Sequence, residues 1–116
     1  MAKSYRDLDA WRCAIQLSDE LYRLTGDFPW EEIYGITSQL RRASVSVASN
    51  IAEGYGRSSK GEYRSFLGMA RGSVLEVQTQ MVIARELGFG DAEKLAAVEK
   101  LADRAGKMLW AMRQNL

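Results

Sequence analysis

The sequence predicts an all-α fold, an antiparallel up-and-down four-helix bundle, and three observations carry that prediction. Apolar residues recur at three-and-four spacing through four separate stretches, glycine or proline punctuates the short gaps between them, and no segment alternates apolar and polar residues as a strand would. The 116 residues match the ordinary size of one domain, large enough to bury a core without disulfides or metal, so residues 1–116 read as a single bundle.

In the first stretch, Leu8, Trp11, Ile15 and Tyr22 make one apolar stripe and Ala14, Leu17, Leu21 and Leu24 an adjoining one, predicting a helix from about Asp7 to Thr25. Gly26 and Phe28-Pro29 stop it, because the residue before a proline is pushed out of the helical region. Pro29-Trp30-Glu31-Glu32 then has the form of a first helical turn, with the proline where its missing N–H costs nothing and two carboxylates near the positive helix end. Whether that turn continues through Gly35 is left open by the sequence.

The second helix, within Tyr34 to Arg57, organises the chain. Ile36, Leu40, Ala43, Val47 and Ile51 share one face, yet Ser44, Ser46, Ser49 and Asn50 are poor helix formers that compete for backbone hydrogen bonds. Gln39, Arg42, Ser46, Asn50 and Glu53 form a polar stripe beside the apolar one, and Val45, Ala48, Ala52 and Tyr55 form a third face. A surface helix needs only one apolar side, so this one is expected to be packed on most of its circumference, by its own bundle and by a neighbouring subunit. It ends at Gly54-Tyr55-Gly56.

Ser59-Lys60-Gly61-Glu62 has capping-box spacing and opens a third helix, whose Tyr63, Leu67, Ala70, Val74, Val77, Met81 and Ala84 form a heptad seam. Gly72-Ser73 in mid-helix costs roughly 1 kcal/mol at the glycine, which predicts a close helix approach there as compensation. Leu87-Gly88-Phe89-Gly90 stops the helix and Asp91 caps the fourth, which Leu95, Val98, Ala102, Ala105, Leu109 and Met112 carry nearly to the end.

Composition narrows function more by exclusion than by indication. With no histidine, the commonest general base and metal ligand are missing, and with Cys13 as the only cysteine neither an intrachain disulfide nor a paired-cysteine zinc site can form. No glycine-rich phosphate loop and no carboxylate-histidine set for a di-iron bundle is present, so no enzyme, cofactor or metal is expected, and Cys13 reads as a small buried hydrophobe. The start lacks the apolar run of a signal peptide and no stretch approaches a membrane span, which reads as a cytoplasmic protein without a membrane partner.

Lys plus Arg is 16 and Asp plus Glu 15, for a net charge of +1, but residues 41–85 hold seven basic side chains against three acidic. Lys60, Arg64 and Arg71 share a face of the third helix with Arg57 just before it, and Lys100, Arg104 and Lys107 share a face of the fourth. Repeated around an oligomer, such rows would form a positive track for nucleic acid, to which Arg41 and Arg42 could add. The competing reading is a solvated face, with Glu62, Glu99 and Asp103 close enough to neutralise parts of it. The stripe Gln39, Arg42, Ser46, Asn50, Glu53 likewise has two readings: a surface offered to a ligand, or a hydrogen-bonded seam that fixes helix register or subunit pairing. The tryptophans Trp11, Trp30 and Trp110, with the five tyrosines, are either core and interface anchors or stacking platforms for bases, Trp30 and Tyr55 being the two to test.

The run Gln39-Leu40-Arg41-Arg42-Ala43, followed by Val45-Ser46 and Ser49-Asn50-Ile51-Ala52-Glu53-Gly54, resembles the bacterial four-helix-bundle proteins encoded in intervening sequences of large-subunit ribosomal RNA genes. Phe28-Pro29, Glu32, Gly72-Ser73 and Glu76, and the opening Arg6-Asp7-Leu8 with Trp11, fit the same pattern, so the resemblance spans nearly the whole chain. Val47-Ala48 departs from it, standing where the family often has Ile-Pro. The resemblance implies a homo-oligomer, typically a five-membered ring, and a nucleic-acid role. It extends to the accessory proteins of diversity-generating retroelements, which are similar in fold, strongly basic, and bind a reverse transcriptase and nucleic acid. The expectation is a non-enzymatic homo-oligomeric scaffold binding RNA or DNA through basic helix faces. The alternative is an adaptor ring for a partner protein, without nucleic-acid contact.

Overall fold

The computed structural model describes residues 2–116 and contains four helices: α1 (Asp9–Thr25), α2 (Ile36–Tyr55), α3 (Lys60–Glu86) and α4 (Ala92–Gln114). Single 3-10 turns lie at Tyr5–Asp7 and Trp30–Glu32. Short connections make consecutive helices antiparallel, and each helix packs on two others: α1 on α2 and α4, α3 on α2 and α4, with α2–α3 the most extensive pairing. The result is a square bundle 43 × 24 × 20 Å.

The helix ends follow from local chemistry. Ser4 accepts a hydrogen bond from the Arg6 N–H at 3.1 Å and caps the first 3-10 turn, and Leu8 is extended, so α1 starts at Asp9 and not at Asp7. The turn at Trp30–Glu32 does not run into α2, because Gly35 adopts φ −107°, ψ −121° between them. A Cβ at Gly35 would lie 2.7 Å from the Glu32 carboxylate. α2 then runs unbroken through Val47-Ala48. At the start of α3, Ser59 Oγ accepts from the Glu62 N–H at 3.1 Å and donates to the Glu62 carboxylate at 3.2 Å. The glutamate half of the capping box therefore closes on the serine hydroxyl and not on its backbone.

α3 ends in a Schellman turn: Phe89 N–H reaches the Ala84 carbonyl at 2.9 Å and Gly88 N–H the Arg85 carbonyl at 3.0 Å, with Gly88 at φ 74°. Gly90 is left-handed as well (φ 81°), and a Cβ there would meet Leu24 Cδ1 and Phe28 Cε1 at 2.8 Å. Asp91 caps α4 by accepting from the Lys94 N–H at 3.0 Å.

The heptad positions meet in one core. Leu17, Leu21 and Leu24 of α1, Leu40, Val47 and Ile51 of α2, Leu67, Val74, Val77 and Met81 of α3, and Val98 and Leu109 of α4 are wholly buried. Each contributes about 1.5–3 kcal/mol relative to exposure. Of the two stripes on α1 only the second enters this core, while Ile15 and Tyr22 stay half exposed at its margin. Gly72 departs from expectation too: it faces open space, and a Cβ added there would meet nothing within 4 Å, so no helix approach compensates it. The close approach between helices falls at Gly54, where a Cβ would sit 2.8 Å from Phe66 Cβ, while at Gly106 it would make an ordinary contact, 3.5 Å from Val74 Cγ1.

Candidate nucleic-acid interface

Antiparallel topology sorts the charges along the bundle axis. One end gathers the start of α1, the end of α2, the start of α3 and the end of α4, and its residues 2–16, 47–73 and 104–116 hold ten basic and four acidic side chains. The opposite end, residues 17–46 and 74–103, holds six basic and eleven acidic. A near-neutral chain is thus folded into a molecule with a positive and a negative end.

The basic candidates occupy different surroundings. Arg41 donates from Nε to Thr25 Oγ1 at 2.8 Å and from its terminal nitrogen to the Tyr22 carbonyl at 3.4 Å, with its guanidinium 4.7 Å from the Tyr22 ring centre. It ties the end of α1 to α2 and is withdrawn from any track. Arg57 lies 4.6 Å over the Phe66 ring, and Lys60 and Arg64 are exposed. Arg71 and Lys107 converge on a groove between α3 and α4, also lined by Val74, Leu75, Gln78, Asp103, Gly106 and Trp110. Lys107 is paired there with Asp103 at 3.0 Å. Arg104 and Lys100 are both exposed and line no part of that groove, and the Arg104 charge is near enough to Cys13 to act on its thiol. Of the fourth-helix row only Lys107 lines that groove, although positions 100, 104 and 107 lie within about 60° of one another around the helix. Farther toward the acidic end the α3–α4 boundary is closed by an Arg85–Glu99 ion pair.

The polar stripe of α2 divides as well. Ser73 Oγ of α3 donates to Ser46 Oγ at 2.9 Å, and Asn50 Nδ2 donates to Ser46 Oγ at 3.0 Å and to the Ser46 carbonyl at 2.9 Å. Gln80 Nε2 bridges Gln39 Oε1 at 3.4 Å and Glu76 Oε2 at 3.5 Å. Gln39, Ser46 and Asn50 therefore sit along an intrachain α2–α3 seam, while Arg42 and Glu53 point to solvent without an ion pair among the described residues. On the third face Ala48 is buried inside the chain, Ala52 is half buried, and the Tyr55 hydroxyl donates to the Ala2 carbonyl at 3.1 Å. The N-terminal turn packs on both α1 and α2 and so covers the Tyr55 end of this face from within the chain. Val45 remains 44% exposed.

Among the aromatic residues Trp11 packs edge-on to Tyr5 with ring centres 5.3 Å apart, Trp30 is 80% exposed and Trp110 is 52% exposed. Arg113 is a residue that sequence reasoning passed over, and Trp110 is one that it named as an anchor or base platform without placing it beside α3. Their signal is a second periodicity on α4, Asp103, Gly106, Trp110 and Arg113, which tracks the α3 side of the helix. Cys13 is buried, its thiol is pushed above the ordinary range by desolvation, and its Sγ contacts the Leu101 carbonyl at 3.6 Å. That environment makes it a poor nucleophile. Among the described residues no group of three or more His, Cys, Asp or Glu could hold a metal ion, and no helix is long and apolar enough to cross a membrane.

A solved structure from Bacteroides thetaiotaomicron, a protein of unknown function from the S23 ribosomal protein family, superposes with a TM-score of 0.80 over 90% of this chain and 97% of that one. At 13% sequence identity the likeness is one of fold. No curated protein matches the chain. The 23S rRNA-intervening sequence protein family matches residues 6–111, nearly the whole length and all four helices, and the chain belongs to that family.

Proposed function

We propose that this protein is a non-enzymatic, homo-oligomeric scaffold of the cytoplasm that associates with nucleic acid, RNA in the first instance, through the basic end of its bundle. The observation that carries the reading is the axial separation of charge: ten basic side chains against four acidic gather at one end of a chain whose net charge is only +1. Phosphate contacts dominate non-specific affinity, and local density of cations, not net charge, supplies them. Oligomerisation, with a five-membered ring as the expected form, would repeat the basic ends around one rim and let a weak single patch act several times on one strand.

Electrophoretic mobility shift with structured RNA tests this reading. A shift at low salt that weakens steeply at moderate salt is expected. Absence of any shift with RNA or DNA at low salt overturns it. Sedimentation of the free protein checks the oligomer, for which a monomer at micromolar concentration is the contrary result.

A second reading, an adaptor for a partner protein, has its own observation. At the acidic end Trp30 is 80%, Ile33 51% and Tyr34 95% exposed, three large apolar residues within five positions. Exposed apolar clusters of this kind mark protein contacts. A partner complex that survives nuclease treatment and is lost in Trp30→Ser/Tyr34→Ser would favour the adaptor.

A further inference from the structure

Resting on the nucleic-acid reading above, we infer that the groove between α3 and α4 at the middle of the bundle, where its basic and acidic halves meet, is a site for an unpaired strand, with Trp110 as the platform on which one base stacks. Trp110 is 52% exposed, and among the described residues its indole N–H has no hydrogen-bond partner and its ring no aromatic neighbour. It offers a flat apolar face with a polar edge to whatever enters the groove. Its surroundings identify the occupant. Arg71 from α3 and Lys107 from α4 line the same groove, and Gln78 and Asp103 add an amide and a carboxylate able to hydrogen-bond a base edge. Gly106 puts no side chain into the groove, where a Cβ would lie 3.5 Å from Val74 Cγ1.

Beyond Trp110 toward the basic end the groove stays positive. Arg113 crosses it from α4, donating to the Arg64 carbonyl at 3.3 Å with its guanidinium 3.4–3.5 Å from the Cβ position of Gly68, and Arg64 and Lys60 follow on the same flank of α3. An aromatic face next to a run of cations is the combination that binds single strands, where bases stack on the ring while phosphates track the charges. A duplex offers the cations its phosphates but keeps its bases stacked internally, so Trp110 contributes nothing to it. An acidic peptide would also be attracted to the cations, but it has no use for a flat ring flanked by hydrogen-bonding groups.

The test is fluorescence anisotropy at low salt with fluorescein-labelled single-stranded 12-nucleotide RNA and DNA and with a duplex of the same length. The native chain is expected to bind a single strand more tightly than the duplex. Trp110→Ala should weaken single-strand binding about tenfold while leaving duplex binding within about twofold, and Trp110→Phe should retain most of the affinity. In Trp11→Phe/Trp30→Phe, where Trp110 is the remaining indole, intrinsic fluorescence should be quenched by the single strand and not by the duplex. Equal single-strand affinity for the native chain and Trp110→Ala, or quenching absent at saturation, overturns the stacking site and leaves the electrostatic reading standing. No binding of either probe by the native chain overturns both. Capture of an acidic peptide by the groove with no single-strand binding assigns it to a protein partner and also overturns the proposal.

Discussion

The two flanks of α3 use polar residues for opposite ends. Toward α2, Ser73 and Gln80 are buried and reach Ser46, Gln39 and Glu76, so the hydrogen-bonding groups are largely spent inside the chain. The flank is also tight, with a Cβ at Gly54 only 2.8 Å from Phe66 Cβ. Toward α4 the glycine contact is ordinary, 3.5 Å at Gly106, and half-buried Arg71, exposed Trp110 and Lys107, the last paired only with its own helix's Asp103, line a groove. Function is to be sought on the second flank. Polar residues consumed by their own fold hold register, whereas polar and aromatic residues left without a fold partner are available to something else.

The largest effect should come from the tight flank. Gly54→Ala is expected to destabilise by about 1–3 kcal/mol, since Phe66 Cβ cannot swing away, while Gly106→Ala should be neutral or slightly stabilising. Chemical denaturation of the two variants measures the contrast, and equal losses would erase the distinction between the flanks. Arg41→Ala, which loses the bonds to Thr25 and Tyr22, should cost about 1–2 kcal/mol and leave RNA binding unchanged. A drop in affinity without a drop in unfolding midpoint would return Arg41 to the binding track. Between the flanks, on the open back of α3, Gly72→Ala should stabilise by about 1 kcal/mol, because no neighbour occupies the space and alanine is the better helix former.

The smallest effect is alkaline. Burial raises the Cys13 thiol above its ordinary 9.0 and the Tyr63 phenol above its ordinary 10.0, so the folded chain holds both protons more tightly than the unfolded one. The resulting stability is fully present below the ordinary values and is lost as pH rises through them toward the raised ones. The unfolding midpoint should therefore fall above about pH 9, and Cys13→Ala should flatten the first part of that fall. An unchanged slope in that variant would mean that the thiol does not contribute.

Much of the fold was legible because periodicity records burial. Leu17, Leu40, Val74 and Leu109 sit where the three-and-four rhythm puts them, and Ser59, Gly88 and Asp91 end or begin helices for reasons written in their own side chains. The wheel could not tell which residue fills a gap. Ala48 and Tyr55 read as a face awaiting a neighbour, yet Ala48 is already buried within the chain and Tyr55 bonds to the chain's own Ala2. Gly72 read as a close contact and is open, while Gly54 is the close one, because glycine marks either a missing side chain that is needed or one that is merely absent. Of the candidate site, the cations were visible as residue types. Their grouping was not, since Arg71 and Lys107 meet only through the antiparallel register of α3 and α4, and that same register brings Trp110 between them.

If the α4 flank of α3 binds nucleic acid while the α2 flank holds the bundle together, the salt dependence of single-stranded RNA affinity must report it. The comparison is between the native chain, Arg71→Ala/Lys107→Ala and Arg42→Ala. The slope of log affinity against log salt should fall by about 0.7 for each groove cation removed and stay unchanged in Arg42→Ala. Equal slopes in all three proteins, or a loss confined to Arg42→Ala, would contradict that division of labour.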